Sequence, residues 1–442
     1  MISGWGNFPR LACEILQIKT FPQLKNKIEN RSSITARGLG RSYGDQAISN
    51  SALVVSLSTM DKILSFDEKI GLLNCQAGLS LQQIIKIFAP RGWFPMINPG
   101  TKYVTIGGAI ANDIHGKAHH VDGSFINCVE EFDILLASGE VLTCSRGQNQ
   151  ELFFANFGGL GLLGVIIRAI IKLKRITTTY FKQKAVKCKN IDEMLDAFDQ
   201  YDKDFDYSVA WVNALAKGGN LGKGVLTLGN QAAPEDLPAK LQKNPLFVSP
   251  EPKLSVPLFL PDFSLNSLTV KILNRVISYV QAKPTTIVHY EKFFFPLDAI
   301  LNWNRGYGKR GFIQYQFVIP LQNGRENIKK LLRAVSESGC NPFLNVLKKF
   351  GEGQPYLSFP KTGYTFAIDF PVTKKLPAFV AKMDQLVHEC GGRIYLGKDA
   401  MLTADMFRKM YPDYKLWLEI KRKFDPQNKY SSALAHRLNL LN

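Results

Sequence analysis

Two glycine-rich segments about sixty residues apart constrain this chain more than any other feature: ARGLGRSYGD (36–45) and PGTKYVTIGGAIANDIHGKAHH (99–120). In the first, Gly38, Gly40 and Gly44 permit positive φ and close backbone approach, so several N–H groups can converge on one anion. Arg37 and Arg41 add fork-shaped donors, Ser42 a hydroxyl, and Tyr43 an aromatic body with a polar tip. In the second, Val104-Thr105-Ile106 reads as a strand entering Gly107-Gly108, followed by a small-residue turn that bears Asn112, Asp113 and His115. Such a turn can lie close against a flat ring system. Either segment alone is an ordinary turn; the pair in this order predicts a cradle for a pyrophosphate group.

Composition narrows the class. At 442 residues, 45% hydrophobic and 21% charged, the chain has the make-up of a globular protein with two or three cores. The opening MISGWGNFPRL soon meets Arg10 and Glu14 and lacks a basic-then-apolar leader, so no cleaved secretion signal is expected. The longest apolar run, GLLGVIIRAIIKL (161–173), is broken by Arg168 and too short to span a bilayer. Seven scattered cysteines without a C-x-x-C pair predict reduced thiols and no metal site. The formal charge of +18 points to an anionic partner. No nucleic-acid module accompanies it, so phosphorylated substrates or an anionic membrane surface fit better, beside the plainer reading of a solvated basic surface.

Segments 52–57 and 70–76 have strand composition, and 80–93 reads as a helix opened by Ser80 and Gln83 in capping-box spacing and stopped near Pro90-Arg91-Gly92. A hairpin is predicted for 132–145. Helices are predicted over 191–201, 326–338 and 376–390, the last ended by Gly391-Gly392. FIQYQFVIP (312–320) and YTFAIDFPV (364–372) alternate as strands, which predicts an antiparallel sheet backed by helices. Residues 232–263 are proline-rich and read as a mobile loop, a lid over the site.

Gly159-x-Gly161-x-x-Gly164 satisfies the dinucleotide fingerprint, but VIIRAII after it is strand-like and no acidic residue occurs from 165 to 191. A turn beside the cofactor, with no NAD bound, is the expected role.

The two loops in this order resemble the FAD-binding module of the vanillyl-alcohol oxidase superfamily. Within it, DIHGKAHH (113–120), SGWGNFPR (3–10), ELFFANFGGLGLLGVIIRA (151–169), NWNRGYGKRGFIQYQFVIP (302–320), FGEGQPYLSFP (350–360), GGRIYLGKDA (391–400) and FDPQNKYSSALAHRL (424–438) are similar to the decaprenylphosphoryl-β-D-ribose 2'-oxidases. The resemblance implies an α+β fold: an FAD domain in two parts, residues 1–177 and 392–442, with a substrate domain, 178–391, inserted between them. It implies non-covalent FAD, because related proteins with histidyl-linked flavin carry the linking histidine where this chain has Arg41. The implied contacts are Ala36, Arg37, Gly38, Leu39, Gly40, Arg41, Ser42, Tyr43, Gly44, Asp45 and Gln46 from the first loop. From the second come Gly100, Thr101, Thr105, Ile106, Gly107, Gly108, Asn112, Asp113, Ile114, His115 and Gly116, with Ile167 and Tyr395 from elsewhere.

Lys398 matches the family's active-site lysine, where it serves as proton acceptor, hydrogen-bond donor or stabiliser of flavin charge; these alternatives stay open. Tyr43 and His115 match residues beside flavin and substrate, although packing and loop-fixing explain them equally. Lys117, Gln314, Gln316 and Lys348 match substrate-pocket positions; alternation puts the two glutamines on one strand face, suited to sugar hydroxyls unless they face solvent. Ala367 stands where the family has a pocket cysteine and Thr365 where it has an asparagine, so the pocket wall differs. Ala433 and His436 likewise replace an Asp and an Arg.

The implied activity is oxidation of a sugar hydroxyl to a ketone by hydride transfer to flavin N5, on a pentose carried by polyprenyl phosphate. A short-chain reductase partner would complete epimerisation, quinone or oxygen would take the electrons, and the site would lie in the cytoplasm at the inner face of a bacterial membrane. The competing readings are a soluble alditol or aldonolactone oxidase, and a basic binding protein that keeps the fold without catalysis.

Overall fold

The computed structural model describes residues 1–261, 264, 268–272, 275 and 285–441. Near the N-terminus, Ile15–Gln17 and Ile34–Arg37 flank Leu53–Ser56 in a parallel three-stranded sheet. The first glycine loop leaves the end of Ile34–Arg37, so the strand carries Arg37 to the site. A second, antiparallel sheet runs in the order Val141–Ser145, Val129–Leu135, Val165–Arg175, Leu72–Gln76, Ile63–Asp67, with Trp93–Pro95 also on Val165–Arg175. The predicted hairpin is its edge. The eleven residues after Gly164 form one strand, Val165–Arg175, so the GxGxxG segment opens no helix.

The helix expected at 80–93 spans Leu81–Phe88. Gln83 N–H donates to the Ser80 hydroxyl at 3.2 Å and Ser80 N–H to Gln83 Oε1 at 3.0 Å, and Gly92 ends the segment at φ +79°. One local expectation fails. Val104-Thr105-Ile106 is no strand: Thr105 caps a helix, Ile106–Ala111, its hydroxyl accepting from Gly108 N–H at 3.2 Å. A β-branched run bordered by two glycines looks extended, but a threonine three residues before a free N–H is also a cap, and here the cap prevails.

The large sheet is antiparallel throughout its described strands. Its order is Thr286–His289, Tyr180–Cys188, Gly224–Gln231, Tyr207–Val212, Asn345–Phe350, Gly363–Pro371, Phe312–Pro320, Arg393–Ile394. Side-chain alternation divides its two faces. Ala210, Leu226, Ile313, Tyr315, Leu347 and Ile368 point into the main core. There they meet Met194, Phe198, Leu331, Val335, Val380 and Met383 from helices Ile191–Tyr201, Gly324–Glu337 and Leu376–Glu389. The opposite face, with Trp211, Gln314, Lys348 and Ala367, borders the main cavity.

Past the sheet the chain returns to the N-terminal part. Ile34 N–H donates to Lys429 O at 2.7 Å, Ser431 N–H to Ile34 O at 3.0 Å, and the Tyr430 hydroxyl to Leu135 O at 2.7 Å. The proline-rich stretch carries more order than its composition suggests. Ala239–Gln242 is a helical turn, Leu254–Ser255 pairs in parallel with Ile300–Leu301, and Thr179 Oγ1 donates to Phe247 O at 2.8 Å. Residues 262 and 263 lie outside the described residues. All seven cysteines are free, and no group of metal-ligating side chains occurs among the described residues.

Candidate functional site

A cavity of about 1060 Å³ runs between the glycine loops and the open face of the large sheet, at the upper end of ordinary small-molecule pockets. The first loop contributes Ala36 to Tyr43 and Gln46, and the second Gly100, Thr101, Thr105, Gly107, Gly108, Asn112, Ile114, His115, Gly116 and Lys117. Tyr395 and Lys398 enter from the segment after the last sheet strand, and Gln314, Lys348 and Ala367 from the sheet. Gly161 and Gly164 also line it, which gives the GxGxxG segment its place beside the cavity.

Seven residues drawn from the same motifs stand behind this wall. Asp45 accepts from Arg437 at 2.7 and 3.0 Å and ties down the C-terminal helix. Gly44 leaves space for the Asp399 backbone, 1.8 Å from where a Cβ would sit. Ile106 is fully buried in the main core. Asp113 knits the second loop, accepting from Ser358 at 2.5 Å, Ser124 at 2.9 Å and Ile126 N–H at 3.2 Å; burial lifts its carboxyl to about 6 against those bonds. Ile167 packs into the N-terminal core, because alternation along its strand turns Ile166 to the cavity instead. Gln316 donates to His115 Nε2 and to Thr365 Oγ1, each at 3.0 Å, so it and Thr365 form a layer behind the histidine. The change at Thr365 therefore acts one layer back, while Ala367 is on the wall itself.

The wall has a polar, cationic end and an aromatic mouth. Gly40 is at φ +65°, and a Cβ there would come 2.3 Å from the Arg37 guanidinium. That guanidinium donates to Ser3 O at 2.9 Å and Ala47 O at 3.0 Å, which fixes the loop's course. Arg41 lies 4.2 Å from the Trp5 ring centre and 5.6 Å from that of Tyr103, a cation between two aromatic faces. Asp298 faces the same corner and accepts from Lys102 N–H at 2.8 Å. Trp5, Tyr103 and Asp298 were not singled out in the sequence; an aromatic in the SGWG segment and a lone acid in a basic chain were the available signals.

His115 is buried among Phe350, Phe359 and Tyr395, with ring centres 4.7, 5.7 and 5.1 Å away. Burial, then repulsion from Lys348, Lys398 and His119, holds its pKa well below the usual range, so the ring is neutral. Its Nε2 pairs with the Gln316 side-chain amide at 3.0 Å, and Nδ1 is a buried atom with no partner among the described residues. Asn112 Oδ1 is similarly unpartnered, while the Tyr395 hydroxyl donates to Asn112 O at 2.8 Å.

Lys398 Nζ donates to Gln314 Oε1 and lies 5.4 Å from the Tyr43 ring centre. Burial lowers its pKa and the charge of Asp369 opposes that. Tyr43 is pushed well up by burial, then by Asp369 and Asp298, so its hydroxyl stays protonated. Lys117 and Lys348 are half-buried amines on the cavity wall, both lowered to about 7, chiefly by desolvation. Lys117 donates to Phe293 O and lies 4.6 Å from that ring's centre.

Glycines and N–H groups at one end, cations beside them, and unpaired polar atoms on Asn112 and His115 fit a long anionic cofactor with a flat polar ring. The comparisons agree. Residues 27–145 match the FAD binding domain family and residues 265–438 the D-arabinono-1,4-lactone oxidase family. The decaprenylphosphoryl-β-D-ribose oxidase of Mycolicibacterium smegmatis is 38% identical over 100% of this chain and 97% of its own length. The chain belongs to that oxidase family. An uncharacterised Streptomyces coelicolor protein encoded in the mprA 5' region is 31% identical over 82% of this chain and 100% of its own length. Cytokinin dehydrogenase 2 of Arabidopsis thaliana is 34% identical over only 32% of this chain, so that likeness is confined to a part. As a member of this oxidase family the chain is an FAD-dependent oxidoreductase with the α+β fold of the vanillyl-alcohol oxidase type.

Proposed function

We propose that this chain oxidises the 2'-hydroxyl of a pentose carried on a polyprenyl phosphate, giving the 2-keto sugar. The observation that carries the substrate class is the pair Lys117 and Lys348. Both amines line the cavity, and desolvation is the largest cause that lowers each of them, to about 7, with no carboxylate raising either. Such amines hold their protons poorly without a counter-ion, and a substrate phosphate would supply one and favour the charged forms. A free sugar would not. The relative of similar length is named for a decaprenylphosphoryl ribose.

FAD supplies the hydride acceptor. Arg37, Arg41 and the loop N–H groups would hold its pyrophosphate, and Asn112, His115 and Tyr395 its ring system. No covalent link is proposed, since Arg41 occupies the usual histidine position. Lys398 would meet the reacting hydroxyl, with Tyr43 and neutral His115 fixing its surroundings and Gln314 and Ala367 bordering the sugar. In this reading the cofactor part is discontinuous, 1–177 with 392–442, which the bonds from Ile34 to Lys429 and Ser431 support. A reductase would consume the ketone, and a quinone or oxygen would take the electrons.

The mouth suits a lipid. Leu254, Leu258 and Leu260 are exposed at 69%, 75% and 45% and run alongside Ile300, Leu301 and Trp303 of the cavity wall. Lys253, Lys309 and Arg310 are exposed nearby in sequence. Peripheral seating on the inner face of an anionic membrane would leave the prenyl tail in the bilayer while the sugar enters. No helix among the described residues is long and apolar enough to cross.

The test is anaerobic bleaching of the flavin. Short-tailed prenylphosphoryl ribose should bleach it, and free ribose or xylitol only poorly, because phosphate and lipid contacts help position the reacting carbon. Equal bleaching by a free alditol would transfer the assignment to a soluble sugar-alcohol oxidase.

A further inference from the structure

Asp369 does not reach the cavity wall, yet it is tied to the residue that does. Its side chain is fully buried, and on strand Gly363–Pro371 it lies opposite Gln314. One carboxylate oxygen accepts from Gln314 Nε2 at 2.5 Å and the other from the Tyr307 hydroxyl at 3.1 Å. The far end of the same amide, Gln314 Oε1, accepts from Lys398 Nζ. A carboxylate only accepts and an ammonium only donates, so an amide between them has one satisfied orientation: nitrogen to Asp369, oxygen to Lys398. Turning it over would set NH₂ against ammonium and oxygen against carboxylate.

We propose that Asp369 is a positioning residue: acting through Gln314, it holds the Lys398 amine in place at the cavity and sets the pH at which that amine changes charge. Tyr307 is itself fixed, stacked on Phe312 at 4.0 Å between ring centres, so the carboxylate has little freedom. Burial raises Asp369 and lowers Lys398, and their mutual attraction opposes both shifts. The other ionisable groups facing the pair are Tyr43, whose ring adjoins Lys398, and Lys348 and His115, which act on or feel the Lys398 charge. Asp369 is the acid among them. Without its charge the ammonium form of Lys398 loses its counter-ion while keeping its cationic neighbour Lys348, so the amine must titrate at lower pH.

The test uses the FAD-loaded protein with ¹³Cε-lysine, titrated by NMR, the Lys398 signal being assigned through Lys398→Arg. Asp369→Asn should move the Lys398 midpoint down by roughly 1 to 3 pH units. Tyr307→Phe, which removes one donor to the carboxylate and leaves the strands untouched, should move it the same way by less. The pH profile of flavin bleaching by prenylphosphoryl ribose should follow, with its midpoint displaced by the same amount in Asp369→Asn. An unmoved Lys398 midpoint in Asp369→Asn with flavin retained overturns the proposal. Should that variant lose flavin, an unmoved midpoint in Tyr307→Phe overturns it instead. The bleaching arm rests on the proposed function and the titration does not, so a wrong substrate abolishes bleaching while leaving the titration shift intact.

Discussion

Lys398 is where the chemistry of this site is most exposed to experiment. It is half-buried, lines the cavity, and is held by Gln314. Lys398→Ala should retain bound flavin yet slow flavin reduction by prenylphosphoryl ribose by roughly 100- to 10,000-fold, the span expected when a positioned acid or base is removed. Stopped-flow absorbance measures it, and reduction at the wild-type rate would remove Lys398 from the mechanism. Lys398, Tyr43, His115, Gln314 and Lys348 could be picked out from the sequence through motif resemblance, and the structure brings all five to one cavity. Asp369 could not be reached that way. Its only mark was an acid inside an otherwise apolar strand, YTFAIDFPV, which is a prompt to look for a buried partner. Which partner depended on strand register, a tertiary fact. Asp45 shows the opposite error: a residue in a binding motif whose carboxylate serves Arg437, 392 positions away.

At the scale of elements, local chemistry was legible where caps and alternation agree. Ser80 with Gln83, the Gly391 stop and the period-two pattern of 312–320 each specify one conformation. Around Thr105 they conflict, and the cap decides. That cap is also a contact with the first loop, since a Cβ on Gly38 would lie 2.3 Å from Thr105 Oγ1. Gly38→Ala must displace the hydroxyl that satisfies Gly108 N–H, and losing such a cap costs about 1 kcal/mol, up to 2. The expected outcome is a folded protein whose FAD affinity falls by roughly tenfold, read by fluorescence titration of the apoprotein. Unchanged affinity would show that the two loops are not mechanically joined.

For the whole molecule, the placing of the glycine loops against the large sheet explains why one chain can hold a dinucleotide and a lipid-linked sugar: those loops and the open face of the sheet enclose a shared cavity. The excess of positive charge, +18, together with the exposed leucines at the mouth, predicts sedimentation with anionic vesicles at low salt. Raising the salt should release it, because screening cuts the reach of surface charge to ~8 Å or less at and above physiological ionic strength. Absence from the vesicle pellet at low salt would count against peripheral seating. The account as a whole rests on hydride loss from one carbon. Prenylphosphoryl ribose carrying deuterium at C2' should bleach the flavin more slowly than the unlabelled compound in anaerobic stopped flow, and deuterium at C3' should have no such effect. A slowing that appears with the C3' label and not with the C2' label would contradict it.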